Sequence, residues 1–145
     1  MANGRVHGYD RRMTAPTPYL LFPGFAAEAL EFYRGVFGGE VRSFTYEQFD
    51  RTDGPPSDIA HGQLDGPVTL FASDAGGDED AVHMVGMYLA LLGAADPDTS
   101  RAWFDALAAD GRVIEPLEKR SWGDWDGTLV DRFGVRWLIG FQDLK

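Results

Sequence analysis

The second half of this chain repeats the first, and no other feature limits its fold so strongly. The segment ALEFYRGVFGGEV aligns with SRAWFDALAADGRV so that Phe32-Tyr33 falls on Trp103-Phe104 and Val36 on Leu107. After one inserted residue, Gly39-Glu40-Val41 falls on Gly111-Arg112-Val113. Each copy is an amphipathic helix that runs into a glycine and then a strand. In the first copy Ala26, Ala29, Leu30, Tyr33, Val36 and Phe37 recur at spacings of three and four, which places them on one helical stripe. Gly38-Gly39 ends that helix, since glycine takes a left-handed cap at little steric cost. The second helix opens on Asp96-Pro97, an oxygen to accept an orphan amide hydrogen and a proline where no donor is needed.

The segments around the helices also run in parallel. TPYLLF (residues 17–22) reads as a strand before the first helix, and a new apolar strand is expected over about 82–92 before the second. After the first helix come strands at 41–49, 59–64 and 68–73, the last two joined by a tight turn at Asp65-Gly66. VIEPLEK, GTLVD and VRWLIGF follow the second helix in the same order. Each half is therefore strand, helix and three strands, an internal duplication. One face of each sheet is covered by its helix, and the other stays open. The reading from pattern is an α+β fold in which the two open faces curl together, so that eight strands make a curved mixed-sheet cleft for a small ligand. A 145-residue chain is one domain's worth: a polar tail over 1–15, then a single domain over 16–145 built of modules at about 17–75 and 82–142.

Composition removes several function classes. With no cysteine, disulfides, thiolate metal sites and cysteine nucleophiles are impossible. A formal charge of −10 repels phosphate backbones and anionic lipid, so neither nucleic acid nor a membrane is expected as a partner. No apolar run reaches the roughly 18 residues that cross a bilayer, and the first residues lack the long apolar core of a secretion signal. Cytoplasmic residence is the resulting expectation.

PYLLFPGFAAEALEFYRGVFGGEV, IAHGQLDGPVTLFASD and DPDTSRAWFDALAADGRVIEPLEKRSWGDWDGTLVDRFGVRW together resemble the PhnB-like branch of the vicinal oxygen chelate superfamily, which includes glyoxalases, bleomycin-resistance proteins and extradiol dioxygenases. The likeness spans about residues 17–141. It implies paired βαβββ modules in a glyoxalase-like fold, assembled as a homodimer whose clefts accept small molecules. Many superfamily enzymes hold a divalent metal with His and Glu side chains from strands. In the metal-binding relatives the last strand follows a DPDG-like corner and carries a glutamate four residues on. Asp131 and Gly134 match that corner, but the glutamate's place falls at Leu138 and a first-strand histidine's place near Pro18. Hydrocarbon offers a divalent ion no electron pair. The expectation is accordingly no metal and no cofactor.

Among the three histidines His61 stands out, because alternation along IAHGQL puts Ile59, His61 and Gln63 on one strand face. An imidazole changes charge near neutral pH, which makes His61 the candidate catalytic residue and Gln63 a candidate for orienting a ligand. The competing reading is a histidine that fixes its strand by a hydrogen bond. His83 reads as a capping or exposed residue, and His7 lies in the tail. Trp122 and Trp125, beside glycines in SWGDWDG, are candidate pocket-lining rings, while Asp131 and Gly134 are assigned to a structural turn. The function expected is a small-molecule-binding protein working with the unidentified ligand as a homodimer. Two alternatives stay open: a metal-dependent lyase, isomerase or dioxygenase drawing on His61 with Glu115 or Glu118, and a dimeric scaffold without chemistry.

Overall fold

The computed structural model describes residues 15–143; of the expected tail over 1–15, residues 1–14, with His7, lie outside the described residues. The first half contains β1 (Tyr19–Phe22), α1 (Ala26–Phe37), β2 (Glu40–Thr45), β3 (Ile59–Asp65) and β4 (Leu70–Asp74). The second contains β5 (Leu89–Leu92), α2 (Pro97–Ala108), β6 (Arg112–Lys119), β7 (Trp125–Val130) and β8 (Arg136–Phe141). Strand order is β1-β4-β3-β2 in one sheet and β5-β8-β7-β6 in the other, with the first pair of each parallel and the rest antiparallel. The duplication read from the sequence is thus a duplication of topology.

The expected curved cleft of eight strands does not form. Among the described residues the strands pair only within their own halves, giving two separate four-stranded sheets. The reason lies at the edge of β1. Its outward carbonyl at Leu21 accepts from the Val82 amide of the connector, so an irregular segment takes the edge that β5 would need. That segment also shortens β5, which was expected from residue 82 and begins at Leu89. Gly86 turns the chain with φ of 69° inside the stretch expected to be strand. β2 likewise stops at Thr45 rather than Phe49, because a 3-10 turn over Glu47–Phe49 follows a register shift and Gln48 Oε1 takes the Thr45 amide.

The two helices start differently. In α2, Asp96 accepts from the Thr99 amide at 2.7 Å and Pro97 holds the first position, as the sequence indicates. α1 has no side-chain cap of its own; the buried Asp74 of β4 reaches it instead, accepting from Ala26 N and Ile59 N at 2.8 Å each. One carboxylate therefore ties the helix start to two strands.

The halves meet through their helix-covered sides. Phe133 contacts Phe22, Phe25, Phe32 and Tyr33, and Phe37 contacts both Trp103 and Trp137, so one aromatic core runs between the modules. At its centre the Tyr33 hydroxyl donates to Asp131 Oδ2 at 2.6 Å, linking α1 to the turn after β7. Burial, and then the Asp131 carboxylate, push the Tyr33 phenol well above its ordinary value. A folded pKa above the unfolded one makes this contribution complete below about pH 10 and lost as the pH climbs through the folded value. The free energy of unfolding should therefore fall above about pH 10, and Tyr33→Phe should flatten that fall while lowering stability at neutral pH. Matching alkaline limbs in denaturant titrations of the two proteins would contradict this.

Candidate functional site

A missing side chain identifies the faces of each sheet. A Cβ on Gly62 would stand 2.5 Å from Leu30 of α1, and one on Gly127 would stand 2.9 Å from Phe104 of α2. Both glycines therefore lie under their helices. Alternation then puts His61 and Gln63 on the helix-free face of the first sheet, together with their pairing partners Phe44, Arg42 and Phe71, and with Tyr19 beside Phe71. Ile59, expected on that face too, is buried in the core with its Cγ2 3.3 Å from the Gly62 Cβ position. The β-bulge opposite Phe44 and Thr45 skips Ala60 and breaks the alternation there.

A row of hydrogen bonds crosses this face. Tyr19 Oη lies 2.9 Å from His61 Nδ1, His61 Nε2 lies 3.1 Å from Gln63 Oε1, and Gln63 Nε2 donates to Asp65 Oδ2 at 2.9 Å. Arg42 closes the row by donating to the same carboxylate oxygen at 3.2 Å. The direction of the row follows from its end. A carboxylate only accepts, so the Gln63 amide NH2 points to Asp65 and its oxygen points to His61. The His61 Nε2–H then donates to Gln63, and the Tyr19 hydroxyl donates to Nδ1. Tyr19, His61 and Phe71 also pack as three rings with centroids 5.5–6.0 Å apart. Phe44 stacks on Phe49 at 5.4 Å, and the two are 42% and 50% exposed.

Chemically, the face offers flat apolar surface beside one oriented imidazole. Both ring nitrogens of His61 are engaged, so it accepts a proton only when the Tyr19 hydroxyl turns and becomes the acceptor. The row also bears on metal binding. A divalent centre of His and Glu side chains does not fit the residues present: His61 has no uncommitted nitrogen, Asp65 is paired with Gln63 and Arg42, and Leu138 occupies the helix-free side of β8 opposite Thr128. Glu115 and Glu118 stand on β6 of the other sheet, opposite Thr128 and Asp126. Among the described residues no three His, Asp or Glu side chains come close enough to hold an ion.

The two tryptophans are not brought to this face. Trp125 opens β7 on the helix-covered side, stacked on Phe141 at 5.8 Å with the Arg101 guanidinium 5.1 Å above it. It lines a separate cavity of about 480 Å3 together with Leu92, Asp96 and Asp124. Trp122 stands 69% exposed in the turn between β6 and β7, and His83 is exposed on the connector. Asp131 accepts from Phe133 N, Val135 N, Tyr33 Oη and Trp137 Nε1, and Gly134 carries φ of 87° while its amide donates to the Asp131 carbonyl. Sequence reasoning passed over Tyr19, Phe44 and Phe71. Their strands were legible, but only the register shows that Phe71 lies across from both Gln63 and Tyr19. In the second half the same alignment matches Thr128 to Gln63, and its hydroxyl is buried without a partner.

Comparison with known proteins agrees with this fold. Residues 17–139 match the model of the Glyoxalase/Bleomycin resistance protein/Dioxygenase superfamily. Protein YjdN of Escherichia coli K12 is 24% identical over 135 residues, covering 85% of this chain and 92% of that one. The crystal structure of protein PA1353 from Pseudomonas aeruginosa superposes with a TM-score of 0.74 at 28% identity, over 90% of this chain and 98% of the other. A PhnB protein from Bacillus cereus, described as a putative 3-demethylubiquinone-9 3-methyltransferase, shares the fold with a TM-score of 0.68 at 21% identity, over 89% and 98% of the two chains.

Proposed function

From the premise that this chain belongs to the glyoxalase/bleomycin resistance protein/dioxygenase superfamily, we propose that it binds a small, flat organic molecule on the helix-free face of its first sheet. The observation that carries this reading is the directional row from Tyr19 through His61 and Gln63 to Asp65, set among the rings of Phe71 and Phe44. A row of this kind holds the imidazole in one orientation, so that its ring joins those of Tyr19 and Phe71 as a surface on which a planar ligand can stack. The rings supply stacking area at little loss of rotamer freedom. Gln63 is 4% exposed, so the row is rigid at its centre and open toward Tyr19 and Phe44.

The working form we propose is a cytoplasmic homodimer. Among the described residues no helix is long and apolar enough to cross a membrane. Phe44 and Phe49 are exposed apolar rings beside this face, and a second copy laid over them would enclose the ligand. Sedimentation equilibrium of the full chain should then report twice the monomer mass.

The test of the site is His61→Ala. With a ligand identified by native mass spectrometry of untreated protein, calorimetry should show affinity reduced about tenfold or more, a loss of at least about 1.4 kcal/mol. His61 is half-buried, so the melting temperature should move little. Equal affinity in the variant would reject the site.

A further inference from the structure

We propose that the seam where β1, β4, β5 and β8 begin is a second ligand site, one that takes an uncharged, apolar molecule. This goes beyond the His61 reading and does not rest on it. A cavity of about 660 Å3 opens there, lined by Pro18 and Leu70 from the first half and Met87, Leu89 and Trp137 from the second. That volume falls within the roughly 300–1,000 Å3 usual for small-molecule sites. It opens at the strand ends, where Leu89 pairs with Trp137 and Leu70 shares its face with Ala72, the partner of Gly62. The His61 row lies on the face of the first sheet opposite to that of Leu70.

The lining identifies the ligand class. Charged residues make up 25% of the sequence, yet none of the described residues around this cavity carries a charge. A charged ligand entering it would lose hydration with no compensating partner. Trp137 is among the lining residues, and its indole N–H offers a ligand no donor because it is committed to Asp131 at 3.0 Å. The rim is mobile in chemistry rather than polar: Met87, 57% exposed, is an unbranched side chain that moulds to irregular apolar shapes, and Tyr88 beside it is 37% exposed. Both belong to the connector between the modules, which has no regular secondary structure over residues 80–88 apart from a bend. A molecule seated here touches both halves of the duplication.

The test uses N-phenyl-1-naphthylamine, an uncharged fluorophore, titrated into the full-length protein. The site predicts a saturable rise in emission. Met87→Asp, on the exposed connector, and Thr69→Trp, which fills the cavity from its half-buried rim, should each weaken binding about tenfold or more. His61→Ala should change it by less than about twofold. Absence of saturable binding overturns the proposal. So does a Met87→Asp protein of unaltered melting temperature and unaltered affinity, or binding that His61→Ala abolishes while both seam variants retain it, which would put the probe on the helix-free face.

Discussion

Replacing Asp131 with alanine should destabilise the protein by about 3–5 kcal/mol, among the largest losses any single side chain here can produce. The carboxylate is 3% exposed and accepts from the amides of Phe133 and Val135, from the Tyr33 hydroxyl and from the Trp137 indole. Two of these donors shape its own turn, one belongs to β8, and one comes from the helix of the other module. Alanine leaves all four without an acceptor in a site that water does not reach, and the desolvation of each is then uncompensated. Against a typical net stability of about 5–15 kcal/mol, that loss approaches unfolding at ambient temperature. Asp131→Asn keeps one accepting oxygen and should fall between the two. Urea titrations should show the midpoint dropping at constant slope, and a change below about 1 kcal/mol would mean that the buried network is dispensable.

The second large effect is expected at Gly39. Its φ of 112° is reached readily only by glycine, and a Cβ there would collide with the Asp65 carbonyl oxygen and approach Gly66 Cα to 2.9 Å. Gly111, its counterpart in the repeat, meets the Val130 carbonyl oxygen and Asp131 Cα in the same way but has no positive φ. Both obstacles are backbone, which cannot rotate aside. Gly39→Ala should therefore combine conformational strain with overpacking, about 2–5 kcal/mol, whereas Gly111→Ala carries overpacking alone, about 1–3 kcal/mol. Thermal or denaturant unfolding of the two variants ranks them. An equal or smaller effect at Gly39 would show that the left-handed backbone is not what selects glycine there.

These two positions also show what the sequence made legible. The repeated glycine after each helix stands at the same place in both halves because the same close approach of a helix end to a hairpin recurs. Local signals of that kind, with the Asp96-Pro97 opening and the apolar stripes, place both α-helices and most strands. What depends on long-range choices was not legible. Whether two four-stranded sheets join into one depends on which segment lies along the β1 edge, and the connector lies there, its Val82 amide donating to the Leu21 carbonyl. The side of the sheet that Trp125 faces follows from counting back from Gly127, whose role appears only once α2 is seen lying on it. His61 and Gln63 share a strand face as their alternation indicates, because alternation is a short-range rule, while Ile59 escaped it at a bulge that no residue type announces. Tyr19 and Phe71 needed the register of three strands.

If the helix-free face of the first sheet holds a flat molecule, labelled protein reports it directly. In a titration of the nitrogen-15-labelled chain with neutral aromatic amides, amide shifts should concentrate at Tyr19, Phe44, His61, Gln63 and Phe71, and the His61 ring should show the Nε2–H tautomer. Shifts confined to Trp122, Trp125 and their neighbours, with those five residues unmoved at saturation, would contradict it.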